Sequence, residues 1–389
     1  VIDPKDVIRH TSVERLNQSA DNYFSSVTDL THLLSKPFSD IREVPDLLMN
    51  IGLLIKGLRL GKSMTVLEMA AGSCWLSRYL CELRCHVIAC DVSPAALEIG
   101  KQLFQKLPLV RQPIAEPSFL LFDGHQLELE SDSIDRVIFN DGFHHVPNIH
   151  QVLSEIYRVL KPGGIAGFAE PGRHHSRSAQ SQIEMSSYSV LENDINLQEI
   201  NDVAKSVGFG DLNTAILSDG YVQPDQHRQI LNNAMSIETS GQILKSCTQT
   251  MSNKTIFFLS KGEFVPDSRS AEGLACAIEL LRREEFEYKL KLSMKILNTG
   301  SSKWLCRNFA DIGIVKVGVQ LLSLDQLLIN DSYKRFDLGQ DVSPGQQLFI
   351  ELEIPLPADH GSRLLRIDLV SEDVCWFGHL GSTPMLVTL

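Results

Sequence analysis

The sequence runs to 389 residues, long enough for two or three domains, and 43% of them are apolar, ample for folded cores. Its net charge of −12, with no basic run anywhere, argues against a nucleic-acid partner, because binding one needs a cationic face that displaces counterions. No apolar run reaches the ~18 residues of a membrane span. The first residues lack the basic, apolar, small-residue order of a signal peptide, so a cytoplasmic location is expected.

In chain order, residues 1–60 read as helical. Leu47, Leu48, Ile51, Leu54, Ile55 and Leu58 recur at helical spacing, and Gly61 ends the pattern. A short β-branched and apolar run, 65–67, then reads as a buried strand closed by an acid, Glu68. Small residues follow at Ala70, Ala71, Gly72 and Ser73, and a helix begins near Trp75 with Leu76, Tyr79, Leu80 and Leu83 on one face. Strand, small-residue turn and helix form the nucleotide site of an open parallel sheet, where the backbone must approach the ligand closely. The next strand, 86–90, ends in Asp91, and a carboxylate there can take both hydroxyls of a ribose. Counting from Ala70, the glycine pattern of a dinucleotide site would put glycine where Trp75 stands, so a nicotinamide cofactor is disfavoured.

The order continues. Ser93 and Pro94 suit a helix start. A third strand at 119–122 leads to Asp123 and Gly124. A fourth, 134–140, ends at Asn140 and is followed by Asp141-Gly142-Phe143-His144-His145-Val146. Ile149, Val152, Leu153, Ile156 and Leu160 make a helix face, and Lys161-Pro162-Gly163-Gly164 turns into a fifth strand, 165–170, ending at Glu170.

From Glu68 to Glu170 these signals resemble the class I S-adenosylmethionine-dependent methyltransferases, whose first motif is an acid followed by three alternating glycines. Here Glu68 is followed by Ala70, Gly72 and Cys74, so one of three glycines is kept and small residues hold the others. The resemblance implies a Rossmann-like, seven-stranded α/β sheet with helices on both faces and S-adenosyl-L-methionine as cofactor. It implies cofactor contacts from Glu68, Ala70, Gly72, Asp91, Val92, Asp123, Gly124 and Asn140. It also implies a helical lid over 1–60, to which Tyr23, Phe24, His32, Phe38 and Arg42 would contribute a pocket wall. The methyltransferase domain is expected over 61–262, with its last two strands near 212–217 and 255–260. The stretch between them is too long for a bare hairpin and has room for a helix.

Methyl transfer to a hydroxyl needs a base near the methyl group, and imidazole titrates in the right range. His145 is the favoured candidate, with His144, Glu170 and His174 behind it. The polar stretch 170–178, followed by Glu184, Tyr188, Glu192, Asn193 and Asp194, lies beyond a strand end and resembles insertions in bacterial enzymes that methylate sugars. The expected acceptor is therefore a sugar or glycan hydroxyl, with association with glycan-assembly enzymes. The alternatives are a non-sugar small molecule, or a scaffold that keeps the fold without turnover. No metal set is assigned. The eight cysteines lack paired spacing, and Asp141, Glu170 and His174 would have to converge to hold an ion.

Beyond residue 262 a charged linker helix is expected over 263–285. From 286 to 389 the period changes to two: Leu290, Leu292, Met294 and Ile296, then Leu348, Ile350, Leu352 and Ile354, then Leu365, Ile367 and Leu369. Short alternating strands with turn signals read as an antiparallel β-sandwich. Asn298, Trp304, Pro344-Gly345 and Trp376 resemble immunoglobulin-like modules of bacterial glycan assembly; Trp304 and Trp376 are expected in the sandwich core, with stacking on sugar rings as the alternative.

Overall fold

A computed structural model describes residues 1–357 and 363–389. Contacts divide the chain into two compact units. One holds Val1–Leu60 and Met64–Phe264, the other Gly61–Ser63 and Val265–Leu389. Among the described residues, no helix is long and apolar enough to cross a membrane.

The first unit is a seven-stranded sheet in the order β3-β2-β1-β4-β5-β7-β6. Its strands are β1 (Thr65–Met69), β2 (His86–Asp91), β3 (Ser118–Leu121), β4 (Ile134–Asn140), β5 (Leu160–Pro171), β6 (Asn213–Thr214) and β7 (Lys254–Ser260). β3 to β5 run parallel to β1, and β7 pairs antiparallel to β5. The order reverses beside β1, so the carboxyl ends of β1 and β4 open a crevice where such sheets bind ligands. The expected α/β architecture is the one observed. Its last strand pair is not a bare hairpin: β6 is two residues long, and two helices lie between it and β7.

Helices α1 (Pro4–His10), α2 (Val13–Ser26), α3 (Thr31–Leu34) and α4 (Val44–Gly57) precede the sheet. α5 (Trp75–Glu82), α6 (Pro94–Lys106) and α7 (Ile149–Val159) connect its parallel strands, and α8 (Ala179–Tyr188) and α9 (Leu197–Val207) follow β5. α10 (Pro224–Leu231) and α11 (Ile237–Asn253) fill the insertion before β7. α7 buries Val152, Leu153, Ile156 and Val159 against the sheet. Each such side chain contributes roughly 1.5–3 kcal/mol on leaving water. The core beneath the crevice is aromatic. Phe168 stacks between Phe139 and Phe257 at centroid distances of 5.3 and 4.5 Å, and Phe143 meets it edge-on at 4.9 Å.

The second unit is an antiparallel β-sandwich. One sheet orders β11-β10-β13-β14, with β15 on β13, and the other orders β12-β9-β8. These strands are β8 (Cys276–Phe286), β9 (Lys289–Asn298), β10 (Val315–Ser323), β11 (Leu328–Asp337), β12 (Gln347–Pro355), β13 (Arg363–Ser371), β14 (Cys375–Trp376) and β15 (Met385–Thr388). The linker helix expected over 263–285 is absent. Residues 276–286 form β8, which pairs along its length with β9. Charges in that stretch sit on an exposed strand face, which a helical reading of charge alone cannot tell apart. Trp304 is fully buried against Phe377, with ring centroids 5.5 Å apart, so it is core and not a sugar platform. Trp376 is half-buried beneath the Arg335 guanidinium, 4.6 Å from its centroid. The irregularities of β10 fall at Val319 to Leu322. At Gly318, outside those irregularities, a Cβ would strike the Trp376 ring at 2.5 Å.

Candidate active site

The turn after β1 takes its shape from three alternate residues. Ala70, Gly72 and Cys74 have φ of +52°, +53° and +57°. That left-handed region suits glycine and disfavours residues bearing a Cβ. The two substituted positions are accommodated by glycines elsewhere. A Cβ on Gly142 would lie 2.5 Å from the Ala70 Cβ, and one on Gly100 would lie 2.3 Å from the Cys74 sulfur. The methyl and the thiol therefore fill notches that those glycines leave, and the backbone keeps the course an alternating-glycine turn would take.

Asp91, at the end of β2, is buried and accepts the Gly72 amide at 2.8 Å and the Ser93 amide at 2.9 Å. Burial raises its pKa against those bonds. Each carboxylate oxygen keeps a lone pair, so the group can still accept ribose hydroxyls. Glu68 is buried beside it and accepts the Ser77 hydroxyl; burial, the largest influence, lifts its pKa to about 8.

These groups line a cavity of about 310 Å³. Val92, Gly124 and Asn140 line it as well. Asp123 does not. It is exposed, and its carboxylate accepts the His125 and Gln126 amides at 2.7 and 2.8 Å, closing its own turn. Its neighbours Phe122 and Gly124 form the wall instead. α2 contributes a helical stripe to the opposite wall: Val13, Leu16, Asn17, Ala20, Tyr23 and Phe24. Asn17 donates to the Asp123 carbonyl at 2.9 Å, and Asp21 accepts the Ser93 hydroxyl and the Ala95 amide at 2.8 and 3.0 Å. Of the other residues expected there, His32, Phe38 and Arg42 are not in the wall, which draws on Leu33, Lys36 and Leu47.

Past β4 the chain turns through a short 3₁₀ helix, Phe143–His145. Glu170, at the end of β5, holds this turn. Its Oε1 accepts the Gly142 and Phe143 amides at 3.1 and 2.8 Å, and its Oε2 accepts the His144 amide at 3.2 Å. The same oxygen lies 2.7 Å from His144 Nδ1. Glu170 is thus occupied as an anchor, and the imidazole it orients is His144 rather than His145. Burial, the largest influence on His144, opposes its charge. The hydrogen bond and charge of Glu170 outweigh it and raise the pKa to about 9.

His145 lines the cavity with 38% of its side chain exposed, and its Nδ1 lies 2.6 Å from the Leu191 carbonyl. A carbonyl can only accept, so Nδ1 carries the proton and Nε2 the lone pair. Burial and then the charge of His144 lower its pKa, so the imidazole is neutral near pH 7.

Glu192 completes the cluster. Its Oε2 lies 2.6 Å from His175 Nε2 and 3.7 Å from His144 Nε2, and its buried Oε1 lies 3.4 Å from His145 Nδ1. Burial is the largest influence on Glu192, but the His175 hydrogen bond and the two other imidazoles bring its pKa down to about 2. His144, His145 and Glu192 place ligand atoms within 4.8 Å of one another, a spacing that admits a metal ion, although the first two already hold Glu170 and the Leu191 carbonyl. The convergence of Asp141, Glu170 and His174 does not occur, because His174 is exposed and outside the cluster. His175 stands where His174 was expected. Among the described residues all eight cysteines are free.

The family described as a methyltransferase domain matches residues 67–168. That likeness runs from β1 into β5. It is 28% identical over 160 residues to a demethylmenaquinone methyltransferase of Streptomyces avermitilis, covering 38% of this chain and 65% of that one. It is 36% identical over 81 residues to a ubiquinone/menaquinone biosynthesis C-methyltransferase of Bartonella tribocorum, covering 21% of this chain and 30% of that one. The chain thus spans less than two thirds of the length of these curated relatives. Among solved structures, phosphoethanolamine N-methyltransferase 2 of Haemonchus contortus, in complex with phosphomonomethylethanolamine and S-adenosylhomocysteine, aligns with a TM-score of 0.45 at 17% identity. That alignment covers 66% of this chain and 61% of that one.

Proposed function

We propose that the protein is an S-adenosylmethionine-dependent methyltransferase acting on a hydroxyl of a small molecule, with His145 as general base. The observation that carries this reading is His145: a half-exposed, neutral imidazole with its tautomer fixed by the Leu191 carbonyl, lining the same cavity as the left-handed turn and Asp91. The site's own residues fit the donor. Asp91 has acceptor capacity for a ribose, and the turn presents backbone at Gly72, where a Cβ would already lie 3.6 Å from the Phe24 ring. When bound, the donor supplies an activated methyl group. The chain's part is to align a nucleophile with it and to take the hydroxyl proton on His145 Nε2.

That Ala70 and Cys74 hold the glycine conformation removes the main ground for a silent scaffold. An acceptor with a compact apolar body suits the wall of Tyr23, Phe24, Leu33, Leu47, Val190 and Leu191. The sugar reading has less behind it, since Arg173, His174 and Arg177 are exposed outside the cavity and Trp304 is core. The test is turnover with a library of small hydroxyl compounds and labelled donor. Transfer to one of them, abolished in His145→Ala, is expected; transfer only to glycans would overturn the acceptor assignment.

A further inference from the structure

One wall of the cavity has a use the base and the donor leave open. Tyr23 on α2 meets Phe24 at a centroid distance of 5.3 Å and 82°, and meets Tyr188 of α8 at 5.5 Å and 85°. Two near-perpendicular contacts make a corner of ring faces. Glu184 lies one turn before Tyr188 on α8, on the same helix face. All four side chains line the cavity that His145 lines. Glu184 is half-buried, accepts a hydrogen bond from Gln180 at 2.6 Å and shares another with the Glu192 carboxyl, and no cation pairs with it among the described residues. The wall carries four acids, Glu68, Asp91, Asp141 and Glu184, of which Glu68 is held neutral near pH 7 by burial, against a single Lys36. Glu68 and Asp91 flank the turn after β1 and Phe24 reaches its Gly72, where a Cβ would lie 3.6 Å from the ring, which leaves Tyr23, Tyr188 and Glu184 facing the remaining space.

We infer that Tyr23, Phe24, Tyr188 and Glu184 form a subsite for an ammonium group, so that the acceptor is a cationic or zwitterionic molecule bearing the hydroxyl. Ring faces attract a cation through their quadrupole, and a carboxylate half out of water adds a Coulombic anchor. A neutral body of the same shape gains neither. The ammonium positions the acceptor and is not the nucleophile, because its nitrogen has no lone pair. The inference rests on the methyltransferase reading for its meaning, but ammonium binding itself needs no turnover.

The experiment uses the full chain with tetramethylammonium chloride as probe and tert-butyl alcohol as its neutral counterpart. Binding is followed by saturation-transfer NMR at constant ionic strength, with and without saturating S-adenosylhomocysteine. Tetramethylammonium should bind in both conditions and tert-butyl alcohol in neither. Glu184→Gln and Tyr188→Ala should each weaken the probe about tenfold, with S-adenosylhomocysteine affinity kept within threefold. Equal binding of the two probes, or indifference to both substitutions, overturns the subsite. Displacement of tetramethylammonium by S-adenosylhomocysteine also overturns it, since the corner would then belong to the donor. If S-adenosylhomocysteine itself fails to bind, the methyltransferase reading falls, and the probe arms still decide on the subsite.

Discussion

The two sides of the cavity are built on different principles. At the ends of β1 and β2 the backbone does the work. Three left-handed residues set a turn, and one acid, Asp91, ties it to the next strand through the Gly72 amide. Beyond β4 and β5 side chains do the work, as His144, His145, His175, Glu170 and Glu192 converge from separate segments. A backbone site tolerates substitution if the dihedral angles survive, as Ala70 and Cys74 illustrate. A side-chain cluster is sensitive to each member, because every buried group there is partnered by another.

The largest expected effect follows on the second side. His145→Ala should lower turnover ~10²–10⁴-fold, the usual contribution of a general base, while donor affinity stays within threefold. Initial rates against calorimetric donor affinity separate the two. A fall in both together would put His145 on the donor side and erase the comparison.

Next comes Asp91→Ala, which should remove ~2–4 kcal/mol of donor affinity by deleting charge-assisted hydrogen bonds. Titration with S-adenosylhomocysteine measures it, and a loss under threefold would mean that the ribose is held elsewhere.

The backbone side was legible in the sequence and the other was not. Small residues between a strand and a helix, and an acid at the end of the next strand, are local signals, so Glu68, Gly72 and Asp91 could be placed from spacing alone. Asp123 could not. An Asp before Gly reads as a ligand contact, yet here the side chain caps its own turn, a use that leaves the same residues in the same order. His145 stands out by its place after β4, but its partners do not, because Glu170 and both histidines all follow strand ends. Which imidazole Glu170 reaches depends on the tightness of the Phe143–His145 turn. Glu192 and His175 lie in an insertion, and nothing in its sequence fixes where it folds back. The linker region failed for a different reason: Arg282-Arg283-Glu284-Glu285 gives no periodicity to separate an exposed strand from a helix.

Two smaller effects sharpen the comparison through pH. Neutral imidazole is the competent base, so the rate should rise with pH along a limb lying below the ordinary imidazole value of 6.5. The groups facing His145 are His144, Glu192 and Asp141. Of these the Glu192 and Asp141 charges hold the value up, so Glu192→Gln should move the limb to still lower pH. A limb moving upward would show that Glu192 does not act on His145. The second effect is on stability. His144 has its folded pKa raised to about 9 from 6.5, so its contribution is complete below 6.5 and is lost as pH rises through 9. Thermal midpoints should therefore fall across that window, by several degrees. Glu170→Gln should flatten the dependence, and an unchanged slope would detach His144 from Glu170.

The smallest effect belongs to the turn. Ala70→Gly relieves a left-handed strain and adds unfolded-chain entropy, two terms of about 1 kcal/mol each that oppose one another. Stability and donor affinity should stay near the parent values in chemical unfolding and titration.

Calorimetric titration of S-adenosylhomocysteine into the parent, Asp91→Ala and His145→Ala proteins tests most directly whether one cavity holds a donor side and a separate base. The predicted result is one ligand per chain in the parent, a weakening of at least about thirtyfold in Asp91→Ala, and an affinity within threefold of the parent in His145→Ala. No heat with the parent protein, or equal losses in the two variants, would contradict it.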